Sequence, residues 1–159
     1  MKEAIQTLIT SDKMAHAFEY LKQDEAHTID QQIELVQISS FSPFEEKRAI
    51  RFKELLTEAG LDPVMDEVHN VYAHIHGTGN GPTLYVSAHL DTVFPPETPL
   101  PVKREGTKIY SPGIGDDTRG LAEILTLART IKESGLKPVG DIITVSYTHL
   151  RAHETEADL

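Results

Sequence analysis

The chain has 159 residues, a formal net charge of −10 and no cysteine. This length suffices for one domain with a substantial core, and the acidic balance argues against a nucleic-acid-binding protein, which needs clustered Lys and Arg. The lack of cysteine excludes disulfides and thiolate metal ligands and fits a reducing cytoplasm. Since there is no apolar segment typical of a signal peptide or a membrane span, we expect a cytoplasmic protein without a membrane partner.

Two helical regions are predicted before the first strand. Apolar residues at helical spacing predict a helix over residues 11–39, interrupted in its polar middle. A second helix is predicted to begin with Ser42 as its N-cap and Pro43 at its first position, and Glu45 completes the spacing of a capping box. Gly60 is the predicted stop of this helix.

Segments with strand character follow at residues 68–76 and 83–90. The Gly-rich turn between these two segments predicts that they are neighbouring strands. Four prolines in residues 94–101 exclude regular structure and predict a surface loop. Residues 102–110 are predicted to form a short hairpin.

A third helix is predicted over residues 117–134, with a further strand over residues 141–147. Together with the strand at residues 83–90, they form a strand–helix–strand crossover unit. Such a unit predicts an α/β protein with a largely parallel sheet.

The segment SAHLDTV places His89 and Asp91 two residues apart, where a strand ends. Residues at this spacing in extended chain point to the same side. The two can therefore serve one metal site, with His89 as a ligand and Asp91 as the group that orients its imidazole. Ligands in α/β sheets commonly bind at the carboxyl ends of strands. The competing interpretation is a surface turn that Asp91 caps.

The segment SPGIGDDTRG places Asp116 and Asp117 at the start of the third helix. The simplest interpretation is that they cap this helix and interact with its dipole. However, the surrounding glycines permit an unusual backbone path, on which a carboxylate can bridge two cations. A phosphate-binding loop is excluded because the glycine spacing does not match and paired carboxylates would repel phosphate.

The order of SPFEEKRAI, HNVYAHIHG, SAHLDTV and SPGIGDDTRGLAEI resembles the co-catalytic di-zinc peptidases: peptidase T, glutamate carboxypeptidase, aminoacylases and succinyl-diaminopimelate desuccinylase. The resemblance covers residues 27–146 and implies part of a catalytic domain, a three-layer α/β sandwich with a mostly parallel twisted sheet. It implies that His89 ligates one zinc and that Asp116 bridges two. Asp91 would be the catalytic-site carboxylate that orients the imidazole. The bond between Asp116 and Asp117 tends to be cis in this family.

The resemblance also implies the chemistry, which is hydrolysis of an amide in a small peptide or an N-acyl amino acid. Two zinc ions would activate a water, and a glutamate would act as the general base. The complete protein is expected to be an exopeptidase and could form a homodimer. Two alternatives remain open: a deacylase or desuccinylase, and a non-catalytic α/β binding module whose acids only cap helices.

The family pattern breaks after the last predicted strand. A Glu-Glu pair is expected near residues 148–152, but the chain reads SYTHLRAHETEADL. His149 and His153 would share one helix face, as paired zinc ligands do. The favoured interpretation is a foreign segment that resembles read-through of adaptor DNA. We therefore predict that residues 1–146 are the amino-terminal part of a catalytic domain, that residues 147–159 are a non-native tail, and that the truncated chain is inactive.

Five further histidines are interpreted most simply as surface or strand residues: His16, His27, His69, His74 and His76. Two of them, His74 and His76, alternate along the strand predicted at residues 68–76. The strand itself is interpreted as structural, and no ligand role is assigned to these two side chains.

Overall fold

The structure is a computed structural model that describes residues 2–148, with side chains from residue 5 onward. No helix in this part of the chain combines the length and the apolar composition needed to cross a membrane. The elements in chain order are α1 (Lys2–Ile9), α2 (Asp12–Gln23), α3 (Glu25–Val36), α4 (Glu46–Glu58), β1 (Val64–Met65), β2 (Val71–Ile75), β3 (Leu84–His89), β4 (Lys103–Glu105), β5 (Lys108–Tyr110), α5 (Thr118–Ser134) and β6 (Ile142–Tyr147).

Four strands form the main sheet in the order β1-β2-β6-β3, and β4 and β5 form a separate hairpin. Strand β3 pairs in parallel with β6, and α5 is the crossover between them, as the sequence predicts. The pairs β1/β2 and β2/β6 are antiparallel. The α/β class is therefore confirmed, and the described sheet is mixed rather than mostly parallel.

The prediction that residues 68–76 and 83–90 form neighbouring strands is wrong, because β6 lies between them. The Gly-rich segment that joins β2 to β3 does not close a tight hairpin. Instead, the N–H groups of Thr78 and Asn80 donate to the carbonyls of Pro138 and Val139, just before β6. This segment therefore pairs with the residues just before β6, and β6 continues from there between β2 and β3.

The core lies between the sheet and the helices α3, α4 and α5. Phe52, Leu55 and Leu125 are buried there against Val71 and Ala88 of the sheet. The opposite face of the sheet carries the exposed side chains Tyr72, His74 and Tyr85. Within residues 2–148 the helices thus cover one face, and the second helical layer of a three-layer sandwich does not lie in this part.

Most predicted element positions are confirmed, but the start of α4 is not. The region 11–39 divides at Asp24 into α2 and α3, as its polar middle indicates. Helix α4 begins at Glu46 and not at Ser42, because residues 41–44 form a turn in which Phe44 N–H donates to the Phe41 carbonyl. The capping-box pattern thus marks a turn that precedes the helix.

A buried ion pair joins the helices to one another. The Arg129 guanidinium on α5 donates to Asp24 Oδ2 over 2.6 Å from Nη2 and over 3.0 Å from Nε. The two side chains are 9% and 6% exposed. Gln31 Oε1 accepts a further bond from Nη1 of the same guanidinium. The α2–α3 junction is therefore fixed against the middle of α5, the helix that begins at the candidate site.

Candidate metal centre

His89 is the last residue of β3, next to Tyr147 at the end of β6. Its Nδ1 lies 3.0 Å from the backbone oxygen of Asp91 and 3.4 Å from Asp91 Oδ1. Its Nε2 lies 2.8 Å from Asp116 Oδ1. The two motifs that the sequence analysis selected therefore meet at one imidazole, with Asp91 on one ring nitrogen and Asp116 on the other.

The three side chains differ in their exposure to solvent. The Asp91 carboxylate is buried, with a side chain 7% exposed, and His89 is 19% exposed. The Asp116 side chain is 91% exposed. Hydrogen bonds with Asp91 and then Asp116 raise the pKa of His89 to about 9, although burial opposes this shift. A buried carboxylate thus orients the ring, and an open carboxylate faces its other nitrogen.

The simplest interpretation of Asp116 and Asp117 from the sequence is that they cap the following helix. In the structure, Asp117 is the N-cap of α5. Its Oδ1 accepts from the backbone N–H of Gly120 in the first turn of α5, over 3.1 Å. Its Oδ2 accepts from the backbone N–H of His89, also over 3.1 Å. The peptide bond between Asp116 and Asp117 is cis, as the resemblance implies. Of the two adjacent acids, one therefore caps α5 and the other faces the imidazole.

The glycines of the motif have different structural roles. A Cβ atom at Gly120 would collide with the capping carboxylate of Asp117. Gly113 has a φ of +79° and lies directly against the Thr92 side chain. By contrast, a Cβ at Gly115 would meet nothing within 4 Å. The motif therefore needs glycine at two of these positions for reasons of space and backbone angle.

The loop before α5 is held by side chains from two helices. Thr118 Oγ1 lies 2.9 Å from the carbonyl oxygens of both Gly113 and Ile114, which share its single hydroxyl proton. Gln32 Nε2 of α3 donates to the Ile114 carbonyl over 2.6 Å. These bonds fix the chain just before Asp116, so the position of this carboxylate depends on both α3 and α5.

Two residues that the sequence analysis did not select support the chain after His89. Arg48 of α4 is buried, and its Nη1 donates to the Leu90 carbonyl over 2.8 Å. Ser40 Oγ donates to the same carbonyl over 2.8 Å. Burial lowers the pKa of Arg48 to about 10, and nearby Asp91 opposes this shift. No spacing pattern marks these residues, because their partners come from a distant part of the chain.

A cavity of about 490 Å³ opens in front of this site. Its lining is mixed in character, with the three site residues, several aromatic and apolar side chains, and the loop before α5. No glutamate of the described residues lines it. The lining residues are His89, Asp91, Thr92, Val93, Phe94, Ser111, Gly113, Ile114, Gly115, Asp116 and Tyr147.

Nε2 of His89 and the exposed carboxylate of Asp116 form a donor pair that fits a metal ion. Imidazole nitrogen and carboxylate oxygen are both zinc ligands, and a ligating histidine usually has its other nitrogen held by a carboxylate or carbonyl. Asp91 provides that support. Within residues 2–148, no third His, Asp or Glu completes a group of three around this pair. His149 and His153 lie outside the described residues.

Comparison with known proteins assigns the chain to a class. The sequence profile described as "Peptidase family M28" matches residues 70–149, just over half of the chain, and the chain belongs to this family. The match includes both β3, which carries His89, and the entire segment from Asp116 through α5 and β6. The resemblance to peptidases is thereby confirmed.

Individual relatives are similar over parts of their length. Carboxypeptidase G2 of Pseudomonas sp. (strain RS-16) is 37% identical over 81 residues, which are 50% of this chain and 19% of that protein. The protein YqjE of Bacillus subtilis (strain 168) is 28% identical over 138 residues, covering 77% of this chain and 36% of that protein. The chain thus spans about a third or less of the length of these relatives.

Solved structures show the same fold. A tripeptidase from Staphylococcus aureus has a TM-score of 0.64 and 32% identity, covering 77% of this chain and 36% of that chain. Aminopeptidase PepT from Bacillus cereus ATCC 10987 has a TM-score of 0.68 and 24% identity, covering 82% of this chain and 38% of that chain. The α/β architecture is therefore that of peptidase structures.

Proposed function

We propose that this chain carries part of the active site of a di-zinc exopeptidase, in which His89 ligates one zinc and Asp116 bridges two. The observation that carries the proposal is the contact of 2.8 Å between His89 Nε2 and Asp116 Oδ1 at an open cavity, with His89 Nδ1 held by Asp91. A surface turn with a capping aspartate would not require the second acid to face the imidazole.

Each acidic residue of the site would have a separate task. Asp91 orients the imidazole and makes its Nε2 more basic, since it accepts a hydrogen bond from the other nitrogen. Asp117 holds the backbone of His89 and leaves Asp116 available as a ligand. Zinc bound here would polarise the scissile carbonyl and supply an activated water. The chain itself would contribute ligand position and the wall of the cavity.

The proposed substrates are small peptides or N-acylated amino acids. Several relatives are named as a carboxypeptidase, a tripeptidase and an aminopeptidase, which favours an exopeptidase without deciding which terminus is cleaved. Deacylation is the second candidate. One relative, 38% identical over 92 residues, is named as a putative [LysW]-lysine/[LysW]-ornithine hydrolase. We propose that the enzyme acts in the cytoplasm and that the complete protein is a homodimer.

We further propose that residues 1–146 are the amino-terminal part of the catalytic domain, that 147–159 are a non-native tail, and that the chain alone has no turnover. Support comes from the sequence after β6, which contains no adjacent glutamates. Loss of a general base typically costs a factor of about 10² to 10⁴ in rate. Sequencing the genomic DNA beyond codon 146 tests this directly, and a frame that continues into adjacent glutamates is expected.

The ligand assignment is tested by zinc stoichiometry and affinity at this site. In a full-length version of the protein, His89→Ala and Asp116→Ala should each lose zinc that the unsubstituted protein retains. His16→Ala, at an exposed histidine away from the site, is the matched control and should retain it. Unchanged zinc content and affinity in both site variants would favour the rival interpretation of a non-catalytic binding module. Measurable metal-dependent hydrolysis of a dipeptide by the purified 159-residue chain would overturn the proposed inactivity.

A further inference from the structure

A second group of metal-ligating side chains lies at the other end of the sheet. Strand β6 ends beside His89, whereas its first residue pairs with Ile75 at the end of β2. Six residues of strand span roughly 20 Å, so this group is distant from the candidate active site. It contains His74 and His76 together with Asp141, the residue just before β6.

The three side chains converge on the face of the sheet that the described helices leave open. His74 and His76 are exposed, and their ring centroids are 3.9 Å apart. His74 Nε2 lies 2.9 Å from Asp141 Oδ2. One ligand atom from each of the three residues lies within 4.8 Å of the other two. Two imidazoles and a carboxylate therefore have a common point of approach.

The carboxylate of this group is held in place by the backbone. The N–H of Gly77 donates to Asp141 Oδ1 over 2.8 Å, which leaves Oδ2 directed at His74. A side chain at Gly77 would collide with Gly140, so the two segments are in close contact at this point. The ligand group thus spans the junction between the end of β2 and the start of β6.

We propose that His74, His76 and Asp141 bind one Zn²⁺ ion, in a site separate from that of His89 and Asp116. Two imidazoles and one carboxylate form a ligand set that zinc accepts, with bonds of about 2.0–2.2 Å and a water as fourth ligand. Two ligands of one ion are at most about 4 Å apart at these bond lengths. His74 Nε2 and Asp141 Oδ2 lie 2.9 Å apart, which is within this limit.

A zinc ion at this site would join β2 to β6 across the glycine-rich segment. An ion that binds the folded chain and not the unfolded chain stabilises it by mass action. The site would therefore act as a clamp on the sheet, and its effect would not depend on the candidate active site. It is independent of the proposed peptidase function and remains testable if that function is refuted.

The rival explanation is an ordinary cluster in which His74 pairs with Asp141 and His76 only packs against His74. The two explanations differ in what they require of His76, because packing does not need its ring nitrogen. Replacing His76 should remove a metal ligand under the proposal and should have no effect on zinc under the rival.

The test uses the full chain with His89→Ala and Asp116→Ala, stripped of metal and titrated with Zn²⁺ in competition with a chromophoric chelator. One zinc per chain is expected to remain bound, and zinc should raise the melting temperature. Adding His76→Ala should weaken zinc binding by at least about tenfold and abolish the thermal shift. Loss of a residue that only supports a zinc ligand already weakens binding by about 10- to 100-fold, so loss of a ligand should cost at least as much. Adding His16→Ala, an exposed helical histidine, should change neither.

A spectroscopic measurement keeps the proposal falsifiable if the doubly substituted background folds poorly. In the unsubstituted chain, Zn²⁺ should shift the imidazole NMR signals of both His74 and His76, and Asp141→Asn should weaken this response. The proposal is overturned if these signals do not move at saturating zinc. It is equally overturned if the background chain retains its zinc after His76→Ala.

Discussion

The carboxylate of Asp117 accepts a hydrogen bond from the backbone N–H of His89 over 3.1 Å. Its other oxygen caps α5 through the N–H of Gly120. One side chain therefore joins the carboxyl end of β3 to the amino end of α5, and the histidine and acidic motifs are held as one unit. Changes at this acid should affect both folding and the candidate metal centre.

Asp117→Ala should destabilise the fold by about 1–3 kcal/mol, because it removes a helix cap and leaves the His89 N–H without this acceptor. The free energy of unfolding from urea denaturation measures this effect. Asp116→Ala is the matched control, since its side chain is 91% exposed. It should cost less than about 1 kcal/mol, because only the exposed partner of the His89 ion pair is removed. Equal destabilisation by the two substitutions would contradict the assigned division of roles.

Asp91→Asn should weaken zinc binding at the candidate centre by about 10- to 100-fold, because it removes the negative charge beside His89 Nδ1. Competition with a chromophoric chelator, in a His76→Ala background that lacks the second proposed zinc site, measures this affinity. His16→Ala, at an exposed histidine away from this site, serves as the control and should bind zinc normally. If Asp91→Asn binds zinc as tightly as the parent chain, this acid does not orient the metal-binding imidazole.

Gly120→Ala should destabilise α5 more than Gly115→Ala does. The added methyl group at position 120 would press on the Asp117 carboxylate, whereas position 115 has open space around it. A loss of roughly 1–3 kcal/mol is expected at position 120, as for overpacking, and a much smaller change at position 115. Urea denaturation of both variants provides the comparison, and a reversed order would refute the contact.

Arg129→Ala should cost about 3–5 kcal/mol of stability, since it leaves the buried Asp24 carboxylate without its ion-pair partner. Arg119→Ala is the control, because Arg119 and its partner Glu123 are 48% and 61% exposed. Loss of that surface pair should cost less than about 1 kcal/mol. Thermal or urea unfolding of the two variants measures the difference, and similar losses would show that Asp24 is not desolvated as described.

Asp141 should give the metal-free chain a stability that depends on acid pH. The Gly77 N–H and then the His74 imidazole lower the pKa of Asp141 below its ordinary value of 3.8. A lowered folded-state pKa stabilises the fold above the unfolded-state pKa, and this stabilisation is lost as pH falls through the folded-state pKa. Asp141→Asn should therefore lower the melting temperature at pH 7 in the presence of chelator, and the difference should shrink as the pH falls below 3.8. A difference that persists unchanged at low pH would contradict this.

Much of the local structure could be predicted from the sequence. The periodicity of apolar residues locates α2, α3 and α5. Gly60 follows the end of α4 with a φ angle of +88°, and Gly135 ends α5 with a φ angle of +65°. The strand that ends at His89 is also recognisable. These features depend on residues a few positions apart, so a single segment contains the necessary information. The start of α4 was mispredicted because a turn at residues 41–44 can present the same cap residues as a helix.

The sequence by itself determined the class of the protein and its candidate site residues, since His89, Asp91 and Asp116 lie in motifs with a recognisable order. Only the tertiary structure decided that β6 lies between β2 and β3, and that Asp117 is the acid that caps α5. It also brought Asp141 to His74 and His76. The physical reason is that strand pairing and side-chain convergence depend on contacts between distant segments, which no local spacing encodes.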